Sequence, residues 1–231
     1  MATVKNKKKQ RAAINPLQEI AQIVELRAVH EAFAWFHKHA EELCAWQMEL
    51  AAVPAPPFGE AARSSWLRRR FDSLALQDVH CDELGNVFGT CQGVPGNGRA
   101  VAVTAHIDTV FPEGTPLHIR REAGKGKLLG PGISDNSSGV TAMLAVAAAM
   151  QAAKLQTTCE IIFIGNVGEE GEGDLRGMRH IFSAPRWSKR IAYTLVVDGA
   201  GTNTIVTQAL GSRRFEVIMQ GPGGHSWNDF G

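Results

Sequence analysis

Five side chains that can bind metal or move protons lie just beyond three short apolar runs. His106 and Asp108 follow Ala100–Ala105, Glu169 and Glu170 follow Ile161–Ile164 after a brief loop, and Asp198 follows Tyr193–Val197. The runs are rich in β-branched residues and almost free of polar ones, as expected of parallel strands covered on both faces. In open α/β sheets ligands collect outside the carboxyl ends of such strands. A sixth group, Asp135, sits where an Ala-rich helical segment over 137–154 begins, so it reaches the same edge. Carboxylates crowded around an imidazole repel one another unless a cation neutralises them. One His, several carboxylates and no Cys suit zinc, with cobalt and manganese as alternatives, and argue against a thiolate-based structural site. The anionic donors exceed what one divalent ion needs, and a carboxylate such as Asp135 can bridge two, so two-metal hydrolysis is the leading chemistry. Asp108 need not touch metal, because a ligating His usually donates its other ring N–H to a carboxylate.

Several elements must position this cluster. Apolar residues recur at helical spacing from Pro16 to Ala52 (Leu17, Ile20, Ile23, Val24, Phe33, Phe36, Leu43, Trp46), giving one long or two consecutive helices that end at Pro54, Pro56 and Pro57. A further helix follows Gly59 and runs through Trp66, Leu67 and Phe71 to about Leu76, with Arg68, Arg69 and Arg70 as solvated charges. Strands near Val79–Cys81 and Val87–Cys91 flank a turn at 82–86. Alternation of strand and helix beyond residue 98 predicts an α/β fold, a mostly parallel mixed sheet flanked by helices.

Composition narrows the function classes. With 44% hydrophobic and 20% charged residues the 231-residue chain is globular in type. Its net charge of +1 is uneven: Lys5, Lys7, Lys8, Lys9 and Arg11 precede the first acidic residue, leaving 19 basic against 23 acidic groups from Glu19 onward. A solvated basic tail over 1–12 and a mildly acidic body give no basis for nucleic-acid binding. The longest apolar run, Val140–Met150, is far below the ~20 residues that span a bilayer, and no signal-peptide pattern follows the basic start, so a cytoplasmic protein without a membrane partner is expected. Cys44, Cys81, Cys91 and Cys159 contain no C-x-x-C pair and read as reduced thiols.

Ala105-His-Ile-Asp-Thr109, Gly130-Pro-Gly-Ile-Ser-Asp-Asn136, Gly168-Glu-Glu-Gly171, Val197-Asp-Gly199 and Gly223-Gly-His-Ser226 occur in an order and spacing that resembles the co-catalytic zinc peptidase and deacylase superfamily. That group includes peptidase T, carboxypeptidase G, acetylornithine deacetylase and succinyl-diaminopimelate desuccinylase, and the resemblance spans residues 40–231. The stretch 165–177 looks more like the peptidase branch. The resemblance implies a zinc-exopeptidase-like catalytic domain over 13–209, incomplete, and the start of an inserted α+β lid over 210–231, with a first strand at Leu210–Met219. It implies two divalent ions, zinc above all: His106, Asp135 and Asp198 on one, Asp135 and Glu170 on the other, the Asp135–Asn136 peptide being cis. Glu169 would be the general base, Asp108 would orient His106, and His225 would reach a partner's site across a homodimer formed through the lid. Members normally continue for about 150 residues more and bring one further His to the second ion. On that basis the chain reads as the first part of a longer hydrolase, inactive or nearly so alone. The expected substrate is a short peptide; an N-acyl amino acid is the alternative, and a non-catalytic metal-binding or assembly module the alternative of another class. His118 and His180 match none of the motifs.

Overall fold

The structure is a computed structural model that describes residues 15–94, 98–199, 201–213, 215–225 and 227–228. The basic tail expected over 1–12 lies outside these residues. Contacts divide the chain into two units, 1–200 and 201–231.

Three helices stand where one or two were expected: α1 (Pro16–Val24), α2 (Arg27–Lys38) and α3 (Ala40–Ala51). The apolar period runs through all three, but two local events interrupt it. Leu26 is extended, and at His39 the chain kinks where the imidazole stacks on Trp35 at 4.1 Å and hydrogen-bonds its carbonyl. Helix α4 (Ala61–Ser73) buries Trp66, Leu67 and Phe71. Arg70 on α4 is not a freely solvated charge: its guanidinium lies 5.1 Å from the Trp46 ring and 5.0 Å from that of Trp66, and it pairs with Glu49.

Strands β1 (Gln77–Cys81), β2 (Val87–Cys91), β3 (Ala100–His106), β6 (Glu160–Asn166) and β7 (Ile191–Val196) form one sheet in the order β1-β2-β6-β3-β7. β3 runs parallel to β6 and β7, whereas β2 is antiparallel to both of its neighbours, so one strand of five opposes the rest. Helix α5 (Ser137–Ala152) links β3 to β6, and α6 (Arg176–Ser183) with α7 (Pro185–Ser188) links β6 to β7. A small hairpin, β4 (Arg120–Glu122) and β5 (Lys127–Leu129), lies apart from this sheet and carries no alternating apolar signal.

Period-two alternation sends neighbouring side chains to opposite faces. Val103, Ala105 and Phe163 join Leu67, Phe71, Met143 and Leu144 on one face, while Ala100, Ala102, Ile162 and Ile164 meet Ile181 and Trp187 on the other. Packing also dictates a glycine in β6: a Cβ on Gly165 would come within 2.1 Å of Leu67. The four cysteines are free thiols, and no helix among the described residues is long and apolar enough to cross a membrane. In the second unit the described residues, those of the strand expected over Leu210–Met219 included, form no helix or strand. A strand needs a partner for its backbone donors and acceptors, and none of the described residues of this unit provides one.

Candidate metal centre

The parallel register brings the strand ends level. His106 pairs with Asn166, and Thr104 pairs with Val196, so the residues after β3, β6 and β7 emerge on one edge. The start of α5 joins them through Asn136, which is fully buried. Its side-chain oxygen caps the helix by accepting from the Gly139 N–H at 3.1 Å, and its amide donates to the Val197 carbonyl at 3.0 Å. Asp135, one residue before, and Asp198, one residue after, are thereby fixed relative to each other. The Asp135–Asn136 peptide is cis. A Cβ on Gly139 would fall 2.1 Å from the Asn136 oxygen and 2.5 Å from the Val197 carbonyl, so only glycine fits there.

His106 is 3% exposed and its two nitrogens face different groups. Nδ1 lies 3.1 Å from the backbone carbonyl of Asp108 and 3.5 Å from its carboxylate. In the neutral ring an acceptor there keeps the proton on Nδ1 and leaves the Nε2 lone pair to face outward. Nε2 stands 3.0 Å from Asp135 Oδ1 and 3.6 Å from Asp198 Oδ1. Asp108, fully buried, also reaches the other side of the cluster, where its oxygens accept from the backbone N–H groups of Glu169 at 3.0 Å and Glu170 at 2.8 Å. One carboxylate thus sets both the imidazole and the two glutamates.

The electrostatics describe a site short of positive charge. Burial alone would push the His106 imidazole down, but its contacts with the Asp108 and Asp198 carboxylates outweigh burial and lift its pKa from 6.5 to about 10. Burial works against the Asp108 charge as well, yet His106 and the two N–H donors hold it below the usual carboxylate range. Asp198 is held low, first by His106. Glu169 and Glu170 are both raised, chiefly by burial and then by neighbouring carboxylates, Asp135 being the foremost of these for Glu170. A proton on His106 partly stands in for a cation, and a metal would compete for the same nitrogen.

The donors fit divalent metal. Ligand atoms of His106, Asp135 and Asp198 lie within 4.8 Å of one another, as do those of His106, Glu169 and Glu170. One imidazole and a surplus of carboxylates is a donor set for zinc, cobalt or manganese. The described part of the chain therefore gathers His106, Asp108, Asp135, Glu169, Glu170 and Asp198 at one mouth. His225 lies in the second unit, where its Nδ1 accepts from the Trp227 N–H at 3.2 Å. His180 pairs with Glu83 at 3.1 Å and His118 belongs to neither group of donors.

Sequence reasoning missed the supports behind the cluster. Arg63, 1% exposed, donates to the carbonyls of Val53 at 2.8 Å and Ile107 at 3.0 Å, and its charge faces Asp108. Burial pulls its pKa from 12.5 to about 10, with Asp108 opposing the fall. Asn86, fully buried, accepts from the Val167 N–H at 3.0 Å and donates to Asp82 and to the Gly177 carbonyl, tying the exit of β6 to the 82–86 turn. An Arg in an apparently solvated helix and an Asn in an apparent turn carry no local signal of burial.

Comparison with known proteins places the chain. The sequence profile of peptidase family M28 matches residues 86–218, more than half of the chain, and the chain belongs to that family. Solved structures share its fold. Aminopeptidase PepT from Bacillus cereus superposes with a TM-score of 0.56 at 23% identity over 70% of this chain and 44% of that one. A di-peptidase from Saccharomyces cerevisiae gives 0.59 at 13% identity over 73% and 40%. A dinuclear metal binding peptidase from Bacillus subtilis gives 0.53 at 15% identity over 68% and 42%. The chain thus spans less than half the length of these three structures. No curated protein matches its sequence.

Proposed function

We propose that this chain holds the two-metal site of a hydrolase that cleaves an amide bond in short peptides, with Glu169 as the general base. The observation that carries the reading is the division of donors around His106: Asp135 and Asp198 at its Nε2, Glu169 and Glu170 in the second group, and Asp108 behind. Both groups include His106, but Nε2 has a single lone pair and cannot serve two ions. Asp135 has two oxygens and is close enough to Glu170 to raise its pKa, which supports Asp135 as the bridge. His106, Asp135 and Asp198 would then hold one ion, and Asp135 and Glu170 would contribute to the other.

Divalent ions bound there would polarise the scissile carbonyl and acidify the attacking water. Glu169 takes the proton from that water and hands it to the departing amine, a transfer helped by burial raising its pKa above the ordinary carboxylate value. Asp108 keeps the His106 tautomer fixed and, through the two N–H donors, keeps Glu169 and Glu170 in place. The family-implied role of His225, a hydrogen bond to the carbonyl oxygen in a partner's site, belongs to the same proposal, as does a homodimer.

The test compares the protein with its Glu169→Gln variant on di- and tripeptides beside N-acetyl and N-succinyl amino acids. The proposal expects peptide cleavage that falls about 10²–10⁴-fold in the variant while bound metal is unchanged. Cleavage of acyl amino acids alone would reassign the substrate, and an unaltered rate in the variant would remove Glu169 from its role.

A further inference from the structure

The segment that carries Glu169 and Glu170 is a closed loop. It leaves β6 at Val167 and returns where the Gly177 N–H donates to the Val167 carbonyl at 3.1 Å, with Asn86 bridging the same two residues. Within it the backbone is unusually bent. Gly168 and Gly171 have φ of +63° and +50°, and Asp174 and Leu175, which carry side chains, have φ of +48° and +56°. Two successive non-glycine residues in the left-handed region persist only where surrounding contacts over-determine them. Asn86 and Asp108 hold the first half of the loop. The second half ends in Arg176, whose contacts the mechanism has not used.

Arg176 reaches out of the loop to the segment between α3 and α4. Its Nη2 donates to both oxygens of Glu60, each at 2.7 Å, and Glu60 is 3% exposed. The guanidinium lies 4.4 Å from the centre of the Phe58 ring, and the Phe58 N–H donates to the same Glu60 carboxylate at 3.1 Å. Nη1 has no hydrogen-bond partner among the described residues and is buried against Gly168: a Cβ added there would meet it at 1.8 Å. The Arg176 side chain is therefore wedged between a buried carboxylate and the residue that immediately precedes Glu169. The Phe58 segment is anchored in turn next to the β3 exit, where the Thr109 N–H donates to the Ala55 carbonyl at 2.9 Å.

We infer that Glu60 and Arg176 are positioning residues: their ion pair clamps Gly168 and sets where the Glu169 and Glu170 carboxylates stand relative to His106. The catalytic consequence rests on the hydrolase reading, but the clamp itself does not. Losing it would free the loop while leaving His106, Asp135 and Asp198 in place, because those three are held by β3, α5 and β7.

The experiment uses the full chain and three variants, Arg176→Met, Arg176→Lys and Glu60→Gln. Amide exchange is followed by mass spectrometry over 167–177, β3 and α5, zinc affinity is titrated, and peptide hydrolysis is measured where the unsubstituted protein hydrolyses. The clamp predicts at least tenfold faster exchange of the Glu169 and Glu170 amides in Arg176→Met and Glu60→Gln, with β3 and α5 unchanged. Arg176→Lys should restore little, because an ammonium neither stacks on Phe58 nor spans from Glu60 to Gly168. Zinc binding that depends on Glu170 should weaken about tenfold while binding at His106, Asp135 and Asp198 is retained, and kcat should fall with KM nearly constant. Unchanged exchange over 167–177, or an equal rise across β3 and α5 in Glu60→Gln, overturns the clamp. Absence of zinc binding in the unsubstituted protein would count against the proposed function and leave the exchange result decisive for the clamp.

Discussion

Replacing Asp108 by Asn probes the residue on which the most site contacts converge. The fully buried carboxylate accepts from two backbone N–H groups at 3.0 and 2.8 Å and faces both His106 and the Arg63 charge. An amide has one oxygen, so its NH₂ group must oppose Glu169 N–H, Glu170 N–H or the imidazole. Losing one charge-assisted bond costs about 1.5–3 kcal/mol, and a buried N–H left unpaired about 1–3 kcal/mol more. A loss of about 3–5 kcal/mol follows, a large share of the ~5–15 kcal/mol that holds a domain together. The pH dependence adds a second signature. Asp108 has its folded pKa depressed, so its contribution is present above the unfolded value near 3.9 and is lost as pH falls through the folded one. Denaturant unfolding at pH 7 and across pH 2–5 would measure both. The Asn variant should be less stable at neutral pH and lose less stability on acidification. A penalty below about 1 kcal/mol at pH 7 would refute the view that these N–H groups depend on this carboxylate.

Other expectations follow from the same geometry. Gly139→Ala should lower stability by about 2 kcal/mol or more, since its Cβ would collide with the Asn136 cap and the Val197 carbonyl; thermal unfolding tests this, and a near-neutral effect would contradict the packing. In metal-free protein His106, raised to about 10, holds a proton at pH 7.5, so zinc binding there should release one proton, seen as buffer-dependent heats in calorimetry. The same shift means that its proton stabilises the metal-free fold fully below about 6.5 and that this contribution fades as pH rises through about 10. Arg70→Ala should cost about 1–2 kcal/mol in denaturant unfolding by removing a cation held between Trp46 and Trp66; an unchanged midpoint would show the stacking to be idle.

The three strands bearing the cluster were legible because burial on both faces leaves a near-continuous apolar run, and the structure places β3, β6 and β7 within two residues of those runs. Convergence of His106, Glu169, Glu170 and Asp198 followed from one rule about strand ends, and Asp135 joined them from the start of α5. What local pattern could not reveal were interactions across the sequence. His39 divides α2 from α3 through a ring contact with Trp35, a break invisible to periodicity. Arg63 and Glu60 look like surface residues in a string, yet both are buried because their partners, Ile107 and Arg176, arrive from distant segments. Asp108 was expected to orient His106, but its hold on the Glu169 and Glu170 amides depends on β3 lying beside β6.

In the proposed site Asp135 would lie between two metal ions. Crystals of the protein grown with zinc, measured at the zinc absorption edge, would show the ions directly as anomalous peaks. Two peaks are expected about 3.5–4 Å apart, each about 2.0–2.2 Å from a different Asp135 oxygen, one beside His106 Nε2 and Asp198 and the other beside Glu170. A single peak, or a pair that leaves Asp135 bound to one ion only, would contradict it.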